Sequence, residues 1–102
     1  MAQVVENRSD LTARLVGTAP HPRLAGWDRA EVDVLAAEPV AGYADLLSGE
    51  VGQRLPLAVP SALLADVAPG STLHVRARLA APGEAMTEKS PAPGTFTVEP
   101  PG

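Results

Sequence analysis

Proline and glycine divide this 102-residue chain into short segments, and that division constrains the fold more than any other feature of the sequence. The chain contains 11 prolines and 9 glycines. Proline removes a backbone donor and glycine favours turns, so we predict many turns and few long helices. Aromatic residues are limited to Trp27, Tyr43 and Phe96. A chain of this length forms one small domain, and its core must be mostly aliphatic.

Five segments alternate between apolar and polar residues, as half-buried strands do. The clearest is STLHVRARL, in which apolar residues alternate with His74, Arg76 and Arg78. Strands are predicted at 11–18, within 27–40, and at 52–59, 71–79 and 95–99. The second segment loses its alternation near Leu35, which indicates a bulge or bend. Pro56 lies inside the third, which indicates an edge or an unpaired position on one side of that strand.

One short helix is predicted at 60–70. Ser61 is a suitable N-cap, an apolar stripe follows, and Pro69 and Gly70 end the segment. The element order is then β-β-β-α-β-β, which resembles the OB-fold, a five-stranded Greek-key barrel. The resemblance rests on element order over about residues 10–99 and on no sequence motif, and a meandering β-roll or another small barrel has a similar order.

We therefore predict an all-β protein with one short helix, folded as a five-stranded OB-like Greek-key barrel. The predicted organisation is a flexible arm at 1–9, the barrel at 10–99 and a tail at 100–102. The amino-terminal residues lack the apolar stretch of a signal peptide, and no apolar run is long enough to span a membrane. Together with the absence of cysteine, this composition leads us to expect a cytoplasmic protein.

The sequence contains none of the spacings that mark common catalytic or metal sites. There is no cysteine, no G-x-S-x-G elbow, no zinc or EF-hand spacing and no phosphate-binding glycine loop. The two histidines, His21 and His74, belong to different elements. We predict no enzyme activity, no metal site and no cofactor.

The resemblance to OB-folds implies a binding role. Their ligands commonly lie across strands two and three, between the loop joining strands one and two and the loop joining strands four and five. In this chain those loops correspond to 19–26 and 81–94. Strands one and four are neighbours in such a barrel, which predicts that Arg14 lies near Arg76 or Arg78. The candidate nucleic-acid-binding residues are Arg14, Arg23, Trp27, Arg29, His74, Arg76 and Arg78.

Two interpretations of this basic row stay open. In the first it follows the phosphate backbone of a single-stranded nucleic acid, with Trp27 or Tyr43 stacked on a base. In the second it is a charge-paired outer face, because Glu31 and Asp33 also point outward. The net charge of −4 opposes nucleic acid at long range. The alternative function is a protein–protein interaction or assembly module that uses an edge strand or the 81–94 loop, and a homodimer through an edge strand is a further alternative.

Overall fold

The computed structural model describes residues 6–101, and its regular secondary structure is almost entirely β-strand. Residues 1–5 of the predicted arm and residue 102 of the predicted tail lie outside this range. The six strands are β1 (Ser9–Pro20), β2 (Trp27–Pro39), β3 (Arg54–Pro60), β4 (Thr72–Ala81), β5 (Glu84–Thr87) and β6 (Phe96–Glu99). Two short 3₁₀ turns occur at Ser48–Glu50 and Ser61–Leu64.

The first five strands close into a barrel. Neighbouring strands follow the order β1-β2-β3-β5-β4, and pairing of β4 with β1 completes the circuit. β3 and β5 run parallel, whereas the other pairs are antiparallel. β6 is added to β4 outside this circuit. The protein is therefore all-β, with a closed five-stranded barrel of mixed strand direction that is compatible with an OB-like barrel.

The prediction of the fifth barrel strand is wrong in position. The barrel strand β5 lies inside the segment 81–94 that was predicted to be a loop, and the predicted strand at 95–99 is β6 instead. A tight turn at Gly83, where φ is +78°, joins β4 to β5. β5 turns only Ala85 and Thr87 toward the interior. A small residue and a polar one do not produce the apolar alternation by which strands are recognised.

The predicted helix is also corrected, because the segment 60–70 forms only the 3₁₀ turn at Ser61–Leu64. Leu64 and Val67 pack against the core, as their spacing predicted. The hydroxyl of Ser61 caps no helix and bonds a carboxylate of β2 instead. Between its flanking prolines the segment is too short for an α-helix to propagate, and short 3₁₀ pieces are common in such connections.

Two predicted irregularities, the bulge near Leu35 and the unpaired Pro56, are present in the strand ladders. Leu35 and Val16 are each an extra residue in the β1–β2 ladder, so the predicted bulge near Leu35 is present. A bulged residue leaves the alternation of the strand, which explains why both apolar side chains are exposed. β3 pairs with β5 only at Leu57 and Ala58, so Pro56 is unpaired on that side, as predicted.

The core fills the barrel with small aliphatic side chains. Its largest fully buried members are Leu11, Leu15, Leu47, Leu55, Leu57, Leu73, Val32, Val34 and Val59. Asn7 is buried as well, and it bonds β4 beyond the end of the β1 ladder. Its Nδ2 donates to the carbonyl oxygen of Leu79 at 3.0 Å, and its Oδ1 accepts from the Leu79 N–H at 2.7 Å.

Candidate functional site

The outward row of β4 is divided among different partners. His74 Nε2 lies 2.7 Å from Oε1 of Glu99. Arg76 donates from Nε and Nη2 to the two carboxylate oxygens of Asp10, at 2.9 and 3.4 Å. Arg78 forms no ion pair with a carboxylate within residues 6–101. The row is therefore a mixed surface, in which two of three nitrogen side chains face an acidic group.

Arg14 lies at the far end of this surface. In the antiparallel register of β1 and β4, Asp10 is opposite Arg76, and Arg14 is four residues further along β1. Four residues of strand span about 13 Å. The predicted neighbourhood of Arg14 with Arg76 or Arg78 is therefore wrong, although β1 and β4 are neighbours as predicted. The cross-strand partner of Arg14 on β2 is Asp33.

Asp33 connects the basic residues of β1 and β3. Arg54 donates from Nε and Nη2 to Oδ1 and Oδ2 of Asp33, at 2.9 and 3.2 Å. These hydrogen bonds, with the charges of Arg54 and Arg14, lower the pKa of Asp33. The acidic and basic side chains thus share one outer face. This is the arrangement that the charge-paired interpretation requires.

A second group of charges is largely enclosed between the β1–β2 loop and the start of β5. Glu84 is its centre: Oε1 accepts from His21 Nε2 at 2.9 Å, and Oε2 accepts from Arg29 Nη2 at 3.0 Å. Arg23 lies 3.9 Å from Oε2 and is largely exposed. The His21 side chain is 1% exposed and that of Glu84 is 15% exposed. Glu84 therefore holds the first predicted binding loop against the barrel.

The hydrogen bonds of His21 determine where its ring proton lies. Nδ1 accepts from the backbone N–H groups of Arg23 and Leu24, at 3.1 and 3.2 Å. The ring proton is therefore on Nε2, which donates to Glu84. The bond from His21 and then that from Arg29 lower the pKa of Glu84, although burial opposes them.

We expect acid to destabilise the fold through Glu84. Its folded-state pKa lies below its ordinary value of 4.5, so its stabilisation is complete above that pH and is lost as the pH falls through the folded pKa. The urea midpoint should fall between about pH 5 and pH 3. Asp33 and Asp45, whose pKa values are also lowered, add to this slope. A Glu84→Gln variant should show a shallower fall, and an identical slope would contradict this assignment.

A groove of about 260 Å³ crosses the outer face from the second half of β2 to Gly94 and Thr95, the two residues before β6. We call it the outer groove. It is lined by Asp10, Leu11, Thr12, Ala36, Glu38, His74, Val75, Arg76, Gly94 and Thr95. Its charged lining consists of two carboxylates, Asp10 and Glu38, and one guanidinium, Arg76. The groove therefore favours a neutral or basic ligand over an anionic one.

His74 is oriented in the wall of the outer groove by two neighbours. Its Nδ1 lies 3.3 Å from Oγ1 of Thr12, and its Nε2 faces Glu99. The side chains of His74 and Glu99 are 40% and 68% exposed. Water competes strongly for groups this exposed, so these contacts orient the imidazole and contribute little to stability.

The two aromatic residues considered for base stacking lie in separate places. Trp27 begins β2 opposite Pro60 and is half-buried. The ring of Tyr43 lies under the guanidinium of Arg8, 4.4 Å from the Cζ atom to the ring centroid. Base stacking on either ring stays a prediction.

Comparison with known proteins gives no matching family model, no similar curated protein and no similar solved structure. Within residues 6–101, no three His, Asp or Glu side chains are grouped closely enough to hold a metal ion. In the same range, no helix has the length and apolar character needed to cross a bilayer. The surface itself is therefore the basis for a functional proposal.

Sequence reasoning missed the acidic partners of the basic residues. Asp10, Glu84 and Glu99 each bond a residue that was a candidate for binding nucleic acid. Asp10 precedes the predicted first strand, and Glu84 lies in a predicted loop, so neither was placed on a face. The alternation of Asp10 with Leu11 was the available signal, and it required a strand that begins earlier.

Proposed function

We propose that this protein is a non-catalytic binding module of the OB-like class and that its partner is another protein. The closed strand order with a parallel β3–β5 pair supports the OB-like class. Fold alone does not determine function, so the choice of partner must come from the surface. The observation that carries it is the open backbone edge of β6, the strand that follows Gly94 and Thr95 of the outer groove.

The hydrogen bonds of β6 leave half of its backbone groups pointing away from the barrel. The N–H of Arg76 donates to the carbonyl oxygen of Thr95 at 3.1 Å. Since bonded pairs alternate along an antiparallel ladder, Thr97 also bonds to β4, whereas Phe96 and Val98 turn their N–H and C=O groups to the other side. Within residues 6–101, no strand pairs with that side. An extended segment of a partner can add there as a further strand.

The length of β6, the prolines after it and the nearby charges indicate which partner segment would fit this edge. β6 has four residues and is followed by Pro100 and Pro101, which cannot donate to a ladder. The added strand is therefore short. The outer groove reaches Gly94 and Thr95, just before β6, and carries Asp10 and Glu38 against one arginine. A segment that extends over this end of β6 with a basic residue is therefore favoured.

Single-stranded nucleic acid is the second candidate. Arg14 and Arg78 favour it, because neither forms an ion pair with a carboxylate within residues 6–101. The predicted ligand face of β2 and β3 opposes it. There Arg54 is bonded to Asp33, and Arg29 is bonded to Glu84. A track for a phosphate backbone needs unpaired cations in series, usually with aromatic rings between them.

The decisive experiment compares peptide and nucleic-acid binding to the same variants. Peptides selected from a displayed random library on the wild-type protein are labelled, and their binding is followed by fluorescence anisotropy. Val98→Pro removes one outward N–H and should weaken binding by about tenfold or more, the value of one hydrogen bond. Val98→Thr keeps that N–H and should bind like the wild type.

A labelled single-stranded oligonucleotide forms the second arm, measured at low and high salt. We expect no saturable binding. The proposal is overturned if the oligonucleotide binds saturably with strong salt dependence while no peptide does, or if Val98→Pro binds the selected peptides as well as Val98→Thr does. Urea unfolding of both variants shows that a loss of binding is not a loss of fold.

A further inference from the structure

A second, smaller cleft of about 40 Å³ lies where the chain before β1 meets β4 and the end of β5. We call it the arginine cleft. Its lining includes Arg8, Arg76, Arg78, Met86 and Glu88. Three guanidinium groups thus surround a small space on a chain whose net charge is −4.

Each guanidinium in the cleft is held by a contact that leaves donors free. Arg8 lies over the ring of Tyr43. Arg76 uses Nε and Nη2 on Asp10, which leaves Nη1 without a bond to that carboxylate. Nη2 of Arg78 lies 3.5 Å from a methionine sulfur in the cleft wall. A guanidinium that stacks on a ring or makes two hydrogen bonds to one carboxylate is already ordered. It therefore loses less rotamer freedom when it binds an anion.

The charges that line the arginine cleft do not balance. Glu88 is its one carboxylate, and Oε2 of Glu88 lies 3.9 Å from Nη1 of Arg8. Both side chains are about one-third exposed, at 33% and 31%, and 3.9 Å is too long for a hydrogen bond. Arg76 is also paired with Asp10, which lies outside the lining, so three guanidiniums and two carboxylates leave one positive charge. The repulsion among the arginines is relieved when an anion enters.

We propose that the arginine cleft binds a phosphate monoester. Near neutral pH such a group carries a charge of about −1.5 to −2 and three strong acceptor oxygens, which suit a positively charged cleft with several guanidinium donors. A phosphodiester of nucleic acid has only two non-bridging oxygens to accept from these donors, so it fits less well. Glu88 competes with the ligand for the arginines. The site does not depend on the open edge of β6, so it stands or falls separately from the proposed protein-binding function.

Titration with inorganic phosphate tests the site directly. The backbone amide and arginine Nε–Hε resonances of the full chain are followed by NMR at constant ionic strength, with chloride as the reference anion and acetate as a planar one. We expect saturable shifts at Arg8, Arg76 and Arg78 with phosphate and weaker shifts with acetate. A phosphoserine peptide forms a further arm. Tighter binding than inorganic phosphate identifies a phosphorylated protein as the source, whereas equal binding identifies the free anion.

Two variants should change the affinity for phosphate in opposite directions, which a cluster with a purely structural role would not do. Arg78→Gln should weaken phosphate binding about tenfold, the value of one charge-assisted bond. Glu88→Gln should strengthen it several-fold, because the internal competitor is removed. Arg14→Gln removes the same charge outside the cleft and should leave the affinity unchanged. The proposal is overturned if the shifts do not saturate, if Arg14→Gln weakens binding as much as Arg78→Gln, or if a single-stranded oligonucleotide lacking terminal phosphates binds the cleft more tightly than phosphate.

Discussion

Replacing Glu84 with alanine should lower the free energy of unfolding by about 2–4 kcal/mol, because the change leaves the buried His21 donor and a partly exposed Arg29 donor without an acceptor. Nε2 of His21 loses its carboxylate partner, and Nη2 of Arg29 loses its hydrogen bond to Glu84. Arg29 is poorly placed to compensate, since its buried Nε already has no hydrogen-bond partner within the described residues. The β1–β2 loop should loosen at the same time. Urea unfolding followed by the fluorescence of Trp27 measures the first effect, and hydrogen exchange at Arg23 and Leu24 measures the second.

The chain contains a matched control for this experiment. His74 and Glu99 form a histidine–glutamate contact of similar length, but both side chains are well exposed. Glu99→Ala should therefore change the unfolding free energy by less than about 1 kcal/mol. If Glu84→Ala is equally mild, water reaches His21 and Arg29, and Glu84 does not fix the β1–β2 loop.

Four of the barrel strands could be predicted because their core-facing side chains are apolar, which produces an alternating pattern in the sequence. β1, β2, β3 and β4 each place leucine, valine or alanine at alternate positions along the strand, on its buried face. β5 could not be found in this way. Its inward residues are Ala85 and Thr87, and it is recognised only by its pairing with β3 and β4. β5 is held mainly by backbone hydrogen bonds to its neighbours. The alternation of apolar and polar residues gives no sign of such bonds.

The binding surface was harder to predict than the barrel. The alternation correctly predicted that His74, Arg76 and Arg78 point outward. It does not indicate which residue of the paired strand lies opposite each of them. That choice depends on register, and a shift of two residues keeps every side chain on the same face while changing every charge pair. The register places Asp10 opposite Arg76 and Asp33 opposite Arg14. The sequence therefore left two interpretations open, and cross-strand pairing favours the charge-paired one.

Leu57→Ala should be as damaging as any single truncation in this barrel. Leu57 is fully buried on β3, and its cross-strand neighbours are Ala30 on β2 and Ala85 on β5. The Leu57 side chain therefore fills most of this layer of the core, because its two neighbours are alanines. Small neighbours cannot extend into the space left by truncation, so the cavity persists. We expect a loss of about 3–5 kcal/mol, at the upper end for buried leucines, measured from the urea midpoint.

A second variant separates the lost volume from any other effect of the change. Leu57→Ala combined with Ala85→Leu returns the volume to the same layer from the neighbouring strand, and it should recover a substantial part of the loss, as volume-conserving exchanges do. If Leu57→Ala does not fold, Leu57→Val removes less volume and should cost about 1 kcal/mol, which leaves the layer measurable. Failure of the double variant to exceed the single one in stability would mean that Leu57 and Ala85 do not share a layer. The parallel pairing of β3 with β5, on which the closed barrel depends, would then be in the wrong register.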